Sequence, residues 1–87
     1  MNVKKGLLLK EVAGNYIVVA IGSAVKVLSG AITLNETGAF LWKMLELGTD
    51  FNALVDGLLN EYGVEKSVAE KDVKEFLDKL KKADLLA

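Results

Sequence analysis

The sequence predicts an α+β domain in which a three-stranded antiparallel sheet is followed by three helices. Three observations predict it. Two β-rich segments near the start flank a glycine-asparagine turn, and no polyproline or serine-rich linker interrupts the remainder of the chain. Gly30 to Leu45, GAITLNETGAFLWKML, passes from β-branched alternation to helical spacing within a single turn. Beyond it lie two further apolar stripes of helical period, each bounded by capping or terminating residues.

Gly6 to Val12 reads as the first strand and Asn15 to Ile21, NYIVVAI, as a stronger second one. Ala13, Gly14 and Asn15 lie between them, and glycine and asparagine tolerate positive φ, so a tight hairpin is expected. In the second strand Tyr16, Val18 and Ala20 share one face and Ile17, Val19 and Ile21 the other. Neither face is plainly polar, which suits a central strand. The apolar outer face is read as packing under the N-terminal segment or a loop, with a self-association surface as the alternative. Gly22 to Ser29 is compatible with a continued strand or a short helical turn. Gly30 then permits re-entry into a third strand, Ala31 to Leu34. This strand closes a meander and stands at its edge, where unpaired N–H and C=O groups are exposed unless something covers them.

Asn35 ends the third strand and caps a helix, and Glu36 puts negative charge where the helix dipole favours it. The first helix runs from about Glu36 to Leu47, with Phe40, Leu41, Trp42, Met44 and Leu45 on its stripe, and Gly48 suits a left-handed cap. Thr49 or Asp50 caps the second helix, whose stripe is Phe51, Leu54, Val55, Leu58 and Leu59 and whose stop is Gly63. Ser67-Val68-Ala69-Glu70 has the form of a capping box, so a third helix is expected to start near Val68. In it Val73, Phe76, Leu77 and Leu80 are expected to face the core, and lysines 79, 81 and 82 gather where the dipole favours cations. Leu85 and Leu86 are expected to fold back onto the body.

Composition narrows the function classes. Eighty-seven residues, 52% of them hydrophobic, make one domain, residues 1–87. The lysines and leucines of MNVKKGLLLKEV superficially resemble a signal peptide, but Lys10 and Glu11 cut the apolar run short of a signal core or a membrane span. A chain without cysteine suits a reducing cytoplasm. Through Asn35 there are four lysines against Glu11 alone, whereas Glu36 to Ala87 carries seven lysines against eleven acids. Every basic residue is lysine. An acidic helical half without arginine is poorly suited to gripping phosphate, which argues against a nucleic-acid partner.

The search for chemistry is mostly empty. Without histidine or cysteine, the commonest general base, the commonest thiol nucleophile and the usual zinc ligands are missing. No catalytic residue, metal site or cofactor is assigned. Glu70, Asp72, Glu75 and Asp78 alternate with Lys71, Lys74 and Lys79 as on a solvated helix face. The eight glycines form no phosphate loop, Glu36-Thr37-Gly38 reads as a cap followed by close packing, and Trp42 and Tyr62 read as packing aromatics.

The order and spacing of several motifs carry a family resemblance. Leu34-Asn35-Glu36-Thr37-Gly38-Ala39-Phe40-Leu41-Trp42 is followed by Gly48-Thr49, by Leu59 through Glu61-Tyr62, by Asp72-Val73 and Phe76-Leu77 through Leu80, and by Ala83-Asp84-Leu85-Leu86. Together these resemble the PqqD-like family, the peptide-recognition elements of pathways that modify ribosomally made precursor peptides. Asp84 stands where many members have glycine, and Val25 to Gly30 is a segment that differs among subfamilies.

The resemblance implies a winged helix-turn-helix-like domain that binds the leader of a precursor as an extra strand beside the third strand, in a groove bounded by the third helix. Carried onto this chain, the peptide-binding residues are Ala31, Ile32, Thr33 and Leu34 on the strand and Val73, Lys74, Leu77, Asp78 and Lys81 on the helix. Leu77 and the stems of Lys74 and Lys81 are the expected specificity pockets. The domain would be non-catalytic and would present the leader to a separate modifying enzyme, often a radical S-adenosylmethionine enzyme in the family. Two alternatives stand beside this reading: a winged-helix nucleic-acid-binding protein, and a protein-interaction module acting through homodimerisation on the apolar sheet face.

Overall fold

A computed structural model describes residues 1–26, 28 and 30–87. Strands β1 (Leu7–Val12), β2 (Asn15–Ala20) and β3 (Ala31–Leu34) precede helices α1 (Glu36–Leu47), α2 (Phe51–Tyr62) and α3 (Lys66–Lys82). The strands form one sheet in the order β1-β2-β3, both pairings antiparallel, so β2 is central and β3 stands at an edge.

Register is set by the turn. Val12 pairs with Asn15, leaving Ala13 and Gly14 as a two-residue loop with φ of 51° and 80°. Positive φ at both positions gives the twist that two-residue hairpins require. Leu9, Val18 and Ile32 then fall in one row across the sheet, and Leu8, Val19 and Ala31 in the row on the opposite face. Val18 and Leu34 are buried beneath the helices, whereas Leu8 and Val12 are exposed on the outer face.

Between β2 and β3, the Gly22 to Ser29 stretch resolves in its first part as a 3₁₀ turn over Gly22–Lys26, while Val27 and Ser29 lie outside the described residues. Gly6 makes room for the turn. Its φ is 85°, and a Cβ there would lie 2.8 Å from the Cβ of buried Ala24, so no other residue fits without a shift.

The helix boundaries reward some cap expectations and correct others. The Asn35 side chain accepts from the Gly38 N–H at 2.7 Å, and Asp50, rather than Thr49, accepts from the Ala53 N–H at 2.8 Å. Gly63 closes α2 in the left-handed region, but Gly48, at φ 89° and ψ 128°, does not take the left-handed helical conformation. The chain must extend at once after α1, because the Thr49 N–H donates to the Met1 carbonyl at 3.0 Å and Asp50 immediately begins the next cap. The Ser67 capping box is likewise not formed: α3 begins at Lys66, behind Glu65, and no side chain caps it. Half-buried Val64 packs against the core just before the helix, so the chain is already helical when it reaches Ser67.

The core joins sheet and helices through Val18, Leu41, Trp42, Leu45, Leu54, Leu58, Val73, Leu80 and Leu85, all fully buried. Each large apolar side chain so buried contributes about 1.5–3 kcal/mol before the entropy of ordering it is counted. Trp42 is a packing residue, with an indole N–H that has no partner among the described residues. Tyr62 packs its ring edge-on against Phe40 at 5.7 Å and stays partly exposed. Its phenol is raised above the ordinary tyrosine range by partial burial and by the carboxylates of Glu36 and Glu61.

The C-terminal residues do fold back. The Lys4 N–H donates to the Leu85 carbonyl and the Ala87 N–H to the Asn2 carbonyl, each at 2.9 Å, and Val3 bridges Leu86. Asp84 adopts φ 59°, and its carboxylate meets the Lys4 ammonium at 2.9 Å. Aspartate is among the side chains that tolerate this region.

The cap geometry yields a paired prediction. Asp50→Ala should lower unfolding free energy by about 1 kcal/mol and Ser67→Ala by less than about 0.5 kcal/mol. Urea denaturation followed by circular dichroism measures both, and a larger loss at Ser67 would contradict the observed start of α3.

Candidate functional site

Strand β3 has only one neighbour. Its Tyr16–Leu34, Ile17–Thr33, Val18–Ile32 and Val19–Ala31 pairings all face β2, and among the described residues no strand lies along its other side. The direction of its free groups can be read from Lys79 on α3, whose ammonium donates to the Thr33 carbonyl at 3.5 Å. In an antiparallel ladder the N–H and C=O of one residue point to the same side, and the side alternates along the strand. Thr33 and Ala31 therefore direct their backbone groups outward, and Ile32 and Leu34 direct theirs to β2.

Beside this edge lies a cleft of about 290 Å³ between the end of β3, the first turn of α1 and one flank of α3. Its lining is Leu34, Asn35, Thr37, Gly38 and Leu41 on one side and Asp72, Glu75, Phe76 and Lys79 on the other. The junction at Asn35 shapes it. The cap bond turns the chain so that Gly38 faces α3, where a Cβ would stand 3.1 Å from the Asn35 Oδ1 and 3.3 Å from the Phe76 ring. Absence of a side chain at Gly38 thus lets Asn35, Leu34 and the Phe76 ring close against the first turn of α1, and Phe76 is the half-buried apolar surface left at the cleft.

The expected site residues divide. Ala31 and Thr33 are exposed at the edge, Ile32 is half-buried and Leu34 is buried at the cleft floor. Val73 and Leu77 lie in the core, where they pack with Leu80 and Ala69. Neither is among the residues lining the cleft. Lys74, Asp78 and Lys81 are exposed, and Asp78 borders a shallower depression with Glu75, Lys79, Lys82 and Ala83 that continues the cleft toward the C-terminal end of α3. Lys74 and Lys81 line neither depression.

The flank of α3 that does face the cleft is Asp72, Glu75, Phe76 and Lys79, at the i, i+3, i+4 and i+7 spacing of one helix face. Phe76, expected in the core, is half-buried at this boundary. Placing Val73, Leu77 and Leu80 in the core already fixes the phase of α3, and the neighbouring stripe is the one beside them; which of its two sides meets β3 depends on the crossing of α3 over the sheet. Asn35, Thr37, Gly38 and Leu41 read in the sequence as helix grammar, and their second role as cleft wall has no separate signature there.

Among the described residues no group of three potential ligands is placed to hold a metal ion, and no helix is long and apolar enough to cross a membrane. The cleft holds carboxylates, an ammonium, an amide, the Thr37 hydroxyl and apolar surface.

Fold and cleft together define a small α+β domain in which β3, one of the sheet's two edge strands, stands beside a groove. The sequence matches the family described as coenzyme PQQ synthesis protein D (PqqD) over residues 8–86, and the chain belongs to that family. Two solved structures share the fold. One, TbiB1 in complex with the TbiA(beta) leader peptide, is 22% identical with a TM-score of 0.78, over 99% of this chain and 94% of that one. The other, lasso peptide synthetase B1 complexed with the leader peptide, is 20% identical with a TM-score of 0.75, over 97% and 93%. No curated protein matches the sequence.

The two faces of α3 should separate experimentally. Leu77→Ala is expected to cost about 2–5 kcal/mol of stability by opening a core cavity, and Phe76→Ala, at the solvent boundary, less than about 2 kcal/mol. Comparable losses in chemical denaturation would mean that the cleft is part of the core.

Proposed function

We propose that this protein is a non-catalytic adaptor that captures the leader segment of a ribosomally made precursor peptide and presents it to a separate modifying enzyme. The observation that carries the reading is the outward-facing backbone of Ala31 and Thr33 beside a lined cleft. An extended peptide entering there gains main-chain hydrogen bonds from β3, while its alternate side chains turn into the cleft beside Phe76. Main-chain pairing supplies affinity with little demand on sequence, so selectivity falls to the groove. The groove-lining part is assigned to Phe76, Asp72, Glu75 and Lys79, above buried Leu34, with Asp78 at its outer end.

Family membership supports this reading, as does the fold shared with two proteins whose structures are complexes with leader peptides. A radical S-adenosylmethionine enzyme is the partner class implied by the sequence resemblance, whereas one of those structures belongs to a lasso peptide synthetase. The proposal therefore names the recipient only as a modifying enzyme. Nucleic acid fits the same surface poorly, because two of the cleft's three charged side chains are carboxylates.

Thr33→Pro provides the test. The substitution removes an N–H that faces away from β2, a place where proline is tolerated on an edge strand, so the fold should persist. Titration with leader peptides from short reading frames adjoining the gene should shift the amide resonances of Ala31 to Leu34 and of the Asp72 to Lys79 flank in the wild type. Binding by Thr33→Pro should fall at least about tenfold, the loss expected of a blocked backbone hydrogen bond and a misfitting strand. Shifts confined to α1 and α2, or full binding by the proline variant, would refute strand addition.

A further inference from the structure

The charges along the cleft wall have an order, and that order has a direction relative to β3. Lys79 reaches Thr33, whereas Phe76, one turn earlier on α3, lies near Gly38 and Leu34, and Asp72, a further turn back, lines the same cleft. Helix α3 thus descends the groove in the sense opposite to β3. Its acids Asp72 and Glu75 stand toward the Leu34 end and Lys79 toward the Ala31 end, with Asp78 and Lys82 both bordering the depression beyond.

These charges are not spent on one another. Glu75 and Lys79 have the i, i+4 spacing and the order that best favours an intrahelical ion pair. Among the described residues, however, the ion pair within 4.0 Å is Lys4 with Asp84, and the Lys79 ammonium turns to the Thr33 carbonyl instead. That carbonyl is the acceptor an added strand would use. A guest paired there would compete with the ammonium, which is then free to meet an acid of the guest, in competition with Glu75 one turn away.

Resting on peptide capture at this cleft, we infer that the groove selects a strand whose inward-facing side chains read basic, apolar, acidic in that order from its N-terminus. Both existing ladders are antiparallel, and antiparallel pairing is slightly the more stable. A guest antiparallel to β3 enters at the Leu34 end. Its first inward side chain therefore meets Asp72 and Glu75, its second lies against Phe76, and its third receives Lys79. The distances agree: Asp72 and Lys79 are about 10 Å apart along the helix axis, and inward-facing strand residues i and i+4 span about 13 Å, a difference within the reach of lysine and glutamate arms. Thr33 gains a backbone partner in the same step, so Lys79 acts as an edge guard in the free protein and as a selector in the complex.

Two acetylated, amidated peptides of identical composition test the order: Thr-Val-Thr-Lys-Thr-Leu-Thr-Glu-Thr-Val-Thr and the version with Lys and Glu exchanged. By calorimetry at low salt the first should bind about fivefold more tightly, the range expected for a few partly exposed ion pairs. The preference should vanish in 1 M salt, where the screening length is about 3 Å. Lys79→Glu makes the wall uniformly acidic at an exposed position and should bring the two affinities together. Equal binding of the two peptides by the wild type overturns the inference, as does a preference that survives Lys79→Glu, or failure of both peptides to bind at millimolar concentration. Resonance shifts with a genuine leader would in each of those cases still uphold capture itself, so the two claims fail separately.

Discussion

The arrangement depends on the hydrogen bond from the Gly38 N–H to the Asn35 side chain, which converts strand to helix in one residue. That bond stops β3 after four residues and swings α1 over the sheet. Its consequence is geometric. With the chain committed to a helix, no later segment returns as a strand to pair with β3, and the next three elements are helices. The outward groups of Ala31 and Thr33 are left for solvent, for the Lys79 ammonium, or for another chain.

An open edge is ordinarily a hazard, and this one carries the devices that keep such edges soluble. Strand β3 is short, a lysine reaches its carbonyl, and α3 stands beside it rather than leaving a flat approach. A guest must fit between helix and strand, so the same wall that discourages indiscriminate pairing gives a groove that can discriminate. The lack of a side chain at Gly38 belongs to this geometry as much as to helix packing, because a Cβ there would crowd both the cap and Phe76.

Much of this is legible in the sequence, and the failures have physical causes. The hairpin, the edge position of β3, the Asn35 cap and the return of Leu85 stem from local chemistry, since turn residues, alternation and apolar spacing act over a few positions. The Ser67 capping box misleads because its pattern is satisfied equally by a helix interior, and the entry to α3 is fixed by Val64 packing on the core. The groove residues of α3 are harder to read. Periodicity separates a buried stripe from exposed ones, but whether the stripe of Lys74 and Lys81 or that of Asp72, Phe76 and Lys79 looks toward β3 is a matter of how two layers cross. That crossing is set by many contacts at once, and it leaves Leu77 buried in the core and Phe76 beside it on the cleft side.

Amide hydrogen exchange at β3 tests the central claim most directly, because it reads each backbone donor separately. In the free protein Ile32 and Leu34, whose N–H groups face β2, should exchange slowly, and Ala31 and Thr33 should exchange nearly as fast as an open chain. With a saturating leader peptide, Ala31 and Thr33 should become protected while the other two stay so. Protection of Ala31 and Thr33 before any peptide is added, or their continued rapid exchange in the complex, would contradict an edge that is open and completed by a guest strand.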